Sequence, residues 1–186
     1  KFIYKCRSDR TIQAVMRQAR PLALINPQVL DADAYLLNTP SGTFDLRDGS
    51  KREHDPADML TKQTATDPSD IGAQVWRDSL ELTFGGDAEL IAYVQRVCGL
   101  AAIGKVLIEA LIIAYGDGNN GKSTFWNTIA RVLGSYSETI SAEVLIAGKK
   151  NNAKHEMAET RARRLLIAGE NDEGVRLSTS STKQLA

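Results

Sequence analysis

Hydrophobic and polar positions change their period along this chain, and each change predicts an element. From Lys1 to about Arg20, Phe2, Ile3, Cys6, Ile12, Val15 and Met16 recur at helical spacing among arginines until Pro21 stops the pattern. The run Tyr35 to His54 alternates instead, with turn residues at Asn38 to Gly42 and at Asp48-Gly49, and predicts a small β-meander. Prolines 56 and 68, set among threonines and aspartates, make Asp55 to Asp70 a loop or linker. Helical spacing returns with Ile71, Val75, Trp76, Leu80, Leu82 and Phe84, and breaks at Gly85-Gly86. Asp87 then caps a second helix carrying Leu90, Ile91, Val94, Val97 and Cys98, which Gly99 is expected to end. Trp76 and Phe84 read as core residues rather than base-stacking platforms.

The second half has the rhythm of a nucleotide-binding fold. Ala110 to Tyr115 is a short apolar run rich in β-branched residues, of the kind that forms a buried parallel strand. Gly116-Asp117-Gly118-Asn119-Asn120-Gly121-Lys122-Ser123-Thr124 follows, an uninterrupted match to G-x-x-x-x-G-K-[ST]. Phe125, Ile129, Val132 and Leu133 then form the apolar stripe of a helix that ends at Gly134. A loop without bulky side chains turns successive N–H groups inward and makes a concave anion site. The expected roles follow from that geometry. Gly116, Asp117, Gly118, Asn119, Asn120 and Gly121 cradle the phosphates, Lys122 bridges the β- and γ-phosphates, Ser123 is one ligand of Mg²⁺, and Thr124 adds a hydroxyl near the α-phosphate.

Ser135 to Ile140 is compatible with another strand. Arg164-Leu-Leu-Ile-Ala-Gly-Glu170 reads as a buried strand delivering a carboxylate to the sheet's carboxyl edge. Glu170 is accordingly the candidate to join the metal shell, or to orient and deprotonate water, with Asp172 or Glu173 assisting.

Composition trims the alternatives. Hydrophobic residues at 42% and charged ones at 25% describe a soluble globular chain, and a net charge of +0 gives no global field for nucleic acid or membrane. No apolar run approaches the length of a membrane span and the N-terminus lacks a signal-peptide layout, so a cytoplasmic location is expected. Cys6 and Cys98 have no metal-ligand spacing. Asp45, Asp48, His54 and Asp55 match no metal template either, since turns favour Asp for backbone reasons. Basic residues concentrate at Lys149, Lys150, Lys154, Arg161, Arg163 and Arg164. They face either a DNA channel, a neighbouring subunit's phosphates, or simply solvent. Arg7, Arg10, Arg17 and Arg20 are better explained as a solvated helix face than as a DNA contact.

Taken together, the runs Leu36 to Gly49, Trp76 to Gly99, Gly116 to Phe125 and Arg164 to Glu170 resemble the phage, plasmid and poxvirus primase-helicases, whose motor belongs to helicase superfamily three of the AAA+ ATPases. The resemblance implies an α/β fold: an AAA+ P-loop nucleotide-binding domain, truncated, preceded by a smaller helical and β-rich domain. The implied divisions are a pre-helicase domain over 1–68, a helical collar-like segment over 69–104 and the N-terminal half of the ATPase over 105–186. It further implies Walker A roles for Lys122 and Ser123 and a Walker B role for Glu170. The implied activity is ATP-dependent, Mg²⁺-requiring translocation on single-stranded or forked DNA, by a self-assembled ring that is usually hexameric. A primase module, where present, lies N-terminal.

Three features depart from that pattern. No primase module lies in this sequence, and Glu170 is followed by Asn171 rather than a second acid. The sequence starts at Lys1 and stops at Ala186 in what reads as a helix, so a longer parent chain is expected, with its sensor residue and arginine finger further on. A small-molecule phosphotransferase, and a nucleotide-dependent oligomerisation or DNA-binding module without turnover, are the alternatives for the same loop.

Overall fold

The computed structural model describes residues 2–22, 24–116, 118, 120–145, 160–169 and 178. The helix expected at the N-terminus is two helices, α1 (Phe2–Cys6) and α2 (Asp9–Ala19). Ser8 causes the break: its hydroxyl lies 2.8 Å from the Lys5 carbonyl oxygen and 2.9 Å from Thr11 Oγ1, offering the backbone a local alternative to the helix ladder. No residue of α2 is buried, and Arg10, Arg17 and Arg20 are exposed with it.

The β-meander forms where the alternation placed it. Strands β1 (Leu36–Thr39), β2 (Gly42–Asp45) and β3 (Lys51–Arg52) pair antiparallel in the order β1-β2-β3, with Leu37 opposite Phe44 and Thr39 opposite Gly42. Gly42 is required at the β1–β2 turn, where φ is 152° and a Cβ would sit 2.5 Å from the Arg52 carbonyl oxygen. The aspartates singled out in the sequence serve this backbone. Asp45 pairs with Arg47 at 2.8 Å, Asp48 accepts from the Ser50 amide, and Asp55 caps the 3₁₀ turn Pro56–Asp58. Among the described residues no three His, Cys, Asp or Glu side chains gather as a metal site.

After the meander the chain is irregular but pinned. Thr64 N–H donates to the Asn38 carbonyl, Ala65 N–H to that of Val132, and Ser135 N–H to that of Gln63. The helical pair α3 (Ala73–Thr83) and α4 (Ala88–Ala102) follows, and Asp87 caps α4 by accepting from the Leu90 amide at 3.0 Å. Gly85 and Gly86 break the pair with φ of 63° and 73°. Gly99 does not end α4: it stays helical, and the helix runs one turn further to Ala102 before Ile103 turns extended. A glycine stops a helix only where the chain uses its left-handed conformation, and the φ of Gly99 is not positive.

Helix α5 (Lys122–Leu133) starts directly after Gly121 and ends at Gly134, the predicted stop. It leads through a 3₁₀ turn at Gly134–Tyr136 into β4 (Ser137–Ile140), which pairs parallel with β5 (Leu165–Ala168). The strand expected over Ala110 to Tyr115 is absent. Those residues are irregular, and Ile113 and Tyr115 are 67% and 90% exposed. Their β-branched composition signals fitness for a pleated, buried surface but supplies no hydrogen-bonding edge, and the segment pairs with neither β4 nor β5. The described architecture is thus mixed α/β with two small sheets, and a complete P-loop sheet is not among them.

One core joins the meander to the second half. Leu37, Leu133 and Tyr136 pack with Phe44, Leu46, Ile129 and Leu165. Tyr136 is 0% exposed, and its hydroxyl oxygen accepts from the Asn38 amide at 3.0 Å. The guanidinium of Arg164 lies 4.2 Å above the Tyr136 ring and donates to the carbonyls of Ala102 (2.6 Å) and Leu36 (2.7 Å). Removing this cation from water holds its pKa below the ordinary arginine value, so the two carbonyls and the ring are what keep it inside. Gly134 closes the core with φ of 56°, and a Cβ there would meet Ala65 N at 2.7 Å and Gln63 O at 2.8 Å. Both obstacles are backbone, so Gly134→Ala should destabilise by about 2 kcal/mol or more. A urea midpoint unchanged from wild type would show that the Gln63–Ala65 segment yields at no cost.

Candidate phosphate-binding loop

The loop sits at the N-terminus of α5, where the first-turn amides have no partner within the helix. Gly121 enters the helix with φ of 84°, and the ladder starts with Phe125 N–H donating to the Gly121 carbonyl at 2.9 Å. Gly116 has φ of 154°, and its missing Cβ is replaced by the side-chain amide of Asn120, 2.5 Å from where that carbon would stand. Lys122 Nζ turns back across the loop and donates to the Gly116 carbonyl at 3.0 Å and to Asn120 Oδ1 at 2.9 Å. One ammonium and the positive end of a helix dipole therefore meet at this loop, where Asn120 Oδ1 also accepts from the Lys122 amide at 3.4 Å. Ser123 and Thr124 are exposed on the first turn of α5. Asp117 and Asn119 lie outside the described residues.

Behind the loop, α5 packs on β4 and β5. Strand β5 runs toward Gly169, and Glu170, with Asp172 and Glu173, lies outside the described residues. The basic stretch divides in the same way. Lys149, Lys150 and Lys154 lie outside, whereas Arg163 and Arg164 are used internally. Arg163 pairs with Glu138 at 2.7 Å and also donates to the Ser135 and Ser137 carbonyls, and Arg164 holds the Tyr136 ring. Neither arginine is displayed as a DNA-facing charge. Cys98 is half-buried, and burial pushes its thiol up to about 11, which makes it an inert packing group.

The sequence reading missed the wall of the loop. Phe125, one turn into α5, is 5% exposed and stacks on Trp76 of α3, with ring centroids 5.6 Å apart and planes 17° apart. Phe84 and Trp126 meet Phe125 edge-on at 5.5 and 5.0 Å. At the end of α3, Thr83 presses on the loop: a Cβ on Gly121 would lie 3.0 Å from Thr83 Oγ1. Helical spacing marked Trp76 and Phe84 as apolar and buried, yet nothing in it said which helix they cover, and Thr83 carried no signal at all. A separate cleft of about 380 Å³ opens in the meander, lined in part by Asn38, Thr43, His54 and Met59, and shares no residue with the loop.

No described helix is long and apolar enough to cross a membrane. No curated protein sequence matches the chain. Residues 1–85, from α1 through α3, match the family described as D5 N terminal like, a domain found in phage and viral primase-helicase proteins.

Proposed function

We propose that this chain carries the first part of an ATP-driven DNA helicase motor, working as a ring on single-stranded or forked DNA. The observation that carries the reading is the loop at the start of α5, with the Lys122 ammonium held across it by Gly116 O and Asn120 Oδ1. The D5 N terminal like match over residues 1–85 supplies the replication context. Phosphate oxygens are stronger acceptors than a carbonyl or an amide oxygen, so Lys122 exchanges its loop contacts for the β- and γ-phosphates of ATP. The backbone amides of Gly121 to Thr124 and the helix dipole add to the same charge. The Ser123 hydroxyl is a hard oxygen donor at the mouth of the loop and suits one position of an Mg²⁺ shell, where the ion would neutralise phosphate charge. Glu170, beyond β5, is assigned to orient and deprotonate the attacking water.

The test is calorimetric titration of the 186-residue chain with ATP in the presence of Mg²⁺. Loss of a charge-assisted hydrogen-bonding group at a phosphate corresponds to about a 10- to 150-fold weaker Kd for Lys122→Ala. Equal affinity in wild type and variant would remove the loop from the mechanism. Phosphate release stimulated by single-stranded DNA in a longer parent chain separates this reading from a small-molecule phosphotransferase. Nucleotide-driven assembly without phosphate release would instead favour the module that binds but does not turn over.

A further inference from the structure

We propose that α3 is a clasp on the phosphate loop, with Thr83 as a positioning residue and the Trp76–Phe125 stack as its fastening, so that polyphosphate binding and docking of α3 are thermodynamically linked. The proposal rests on the phosphate-loop reading above and adds a control element to it.

The loop's last residue, Gly121, is the joint at which it becomes helix α5, and it holds a left-handed φ of 84°. Its open side is filled from outside: Thr83 Oγ1 and Cγ2 stand 3.0 and 3.4 Å from the position of a Cβ. The Thr83 side chain has no hydrogen-bond partner among the described residues, so what it offers Gly121 is contact. One turn further along α5, the Phe125 ring is stacked by Trp76 and met edge-on by Phe84. Trp76, Thr83 and Phe84 all belong to α3 or its C-terminal cap, and no residue of α3 is fully buried elsewhere. Helix α3 is thus held against the loop by a few rings and one threonine, a contact small enough to open and close. Beyond it, Gly85 and Gly86, both at positive φ, give the chain a joint before α4.

The loop has to rearrange when it takes phosphates. Lys122 Nζ now spans Gly116 O and Asn120 Oδ1, and an incoming anion draws it off both. Gly116 and Gly121, both at positive φ, flank those contacts, and Gly121 lies against Thr83 of α3. A docked Thr83 restricts that joint and holds the loop in one arrangement. By reciprocity, whatever α3 contributes to phosphate affinity, phosphate returns to the docking of α3. The segment matched as D5 N terminal like ends at residue 85, directly after Thr83 and Phe84, so the clasp is where that domain would feel the loop's occupancy.

The experiment titrates the chain with sodium tripolyphosphate and with ATP, each with Mg²⁺, by calorimetry. Trp76→Ala and Thr83→Ala are each expected to weaken both ligands by at least about fivefold, the lower end of ordinary coupling between sites, and Trp76→Phe to restore affinity because it keeps a stacked ring. In a Trp126→Phe background Trp76 is the sole tryptophan, the chain having two, and its emission should shift on saturation with tripolyphosphate but not when Lys122→Ala is added. Affinities within twofold of wild type in Thr83→Ala and Trp76→Ala, or an unmoved Trp76 emission at saturation, would overturn the clasp while leaving the phosphate loop standing. If Trp76→Ala fails to fold, Thr83→Ala and the emission of Trp76 decide. Failure of the wild-type chain to bind either ligand overturns both the loop reading and the clasp.

Discussion

Tyr136→Ala is expected to lower the stability of the chain by about 3–5 kcal/mol, the range for truncating a large aromatic side chain in a core. Three losses coincide at this residue. The ring is 0% exposed and packs with Leu37 and Leu133, so its removal leaves a cavity between the meander and α5. Its hydroxyl oxygen is the acceptor for the Asn38 amide, which would be left buried without a partner. The Arg164 guanidinium would lose the face on which it rests, although its hydrogen bonds to Ala102 O and Leu36 O remain. Since whole domains hold only about 5–15 kcal/mol, this is a large fraction of the total stability. Tyr136→Phe isolates one term: it keeps ring and stack but strands the Asn38 N–H, and should cost about 1–3 kcal/mol. Both are read from urea midpoints by circular dichroism. Because the core is shared, the meander and α5 should melt in a single transition; two transitions, or a neutral Tyr136→Ala, would mean that Tyr136 does not join the halves.

Tyr136 also shows where sequence reasoning stops. Period and punctuation are enough for elements whose signal is local: the meander between its turns, the Asp87 cap, the Gly134 end of α5, and strand β5. They failed where the outcome depends on a distant partner. Ala110 to Tyr115 has a strand's composition but no strand beside it, and Gly99 has a stop residue's identity without a stop residue's backbone. By sequence alone Arg164 reads as a basic charge facing DNA, a neighbour's phosphates or solvent, or as the first residue of a strand. It is instead a half-buried bridge between α4, β1 and Tyr136, an arrangement in which each partner is far away in sequence. The candidate site divides along the same line. The glycines and Lys122 are contiguous and therefore legible, while Thr83 and Trp76 reach the loop only through folding.

The carboxylate assigned to hydrolysis gives the largest functional effect. In a parent chain that hydrolyses ATP, Glu170→Gln is expected to lower phosphate release by about 10²- to 10⁴-fold, the usual contribution of a positioned general base. Gln keeps the shape and one acceptor oxygen but cannot take a proton from water, and it contributes no negative charge to an Mg²⁺ shell. Two roles are thus assigned to one side chain, since the next residue is Asn171 rather than a second acid. They separate by ligand affinity. If Glu170 acts as the base, ATP binding in the presence of Mg²⁺ should stay within a few-fold of wild type while turnover collapses. If it mainly holds the metal, Mg²⁺-dependent affinity falls together with turnover. Glu170 follows the last residue of β5, Ala168, by two positions in sequence, and the urea midpoint should not move. Wild-type phosphate release by Glu170→Gln would remove this residue from the chemistry and direct the search for the base to Asp172 and Glu173.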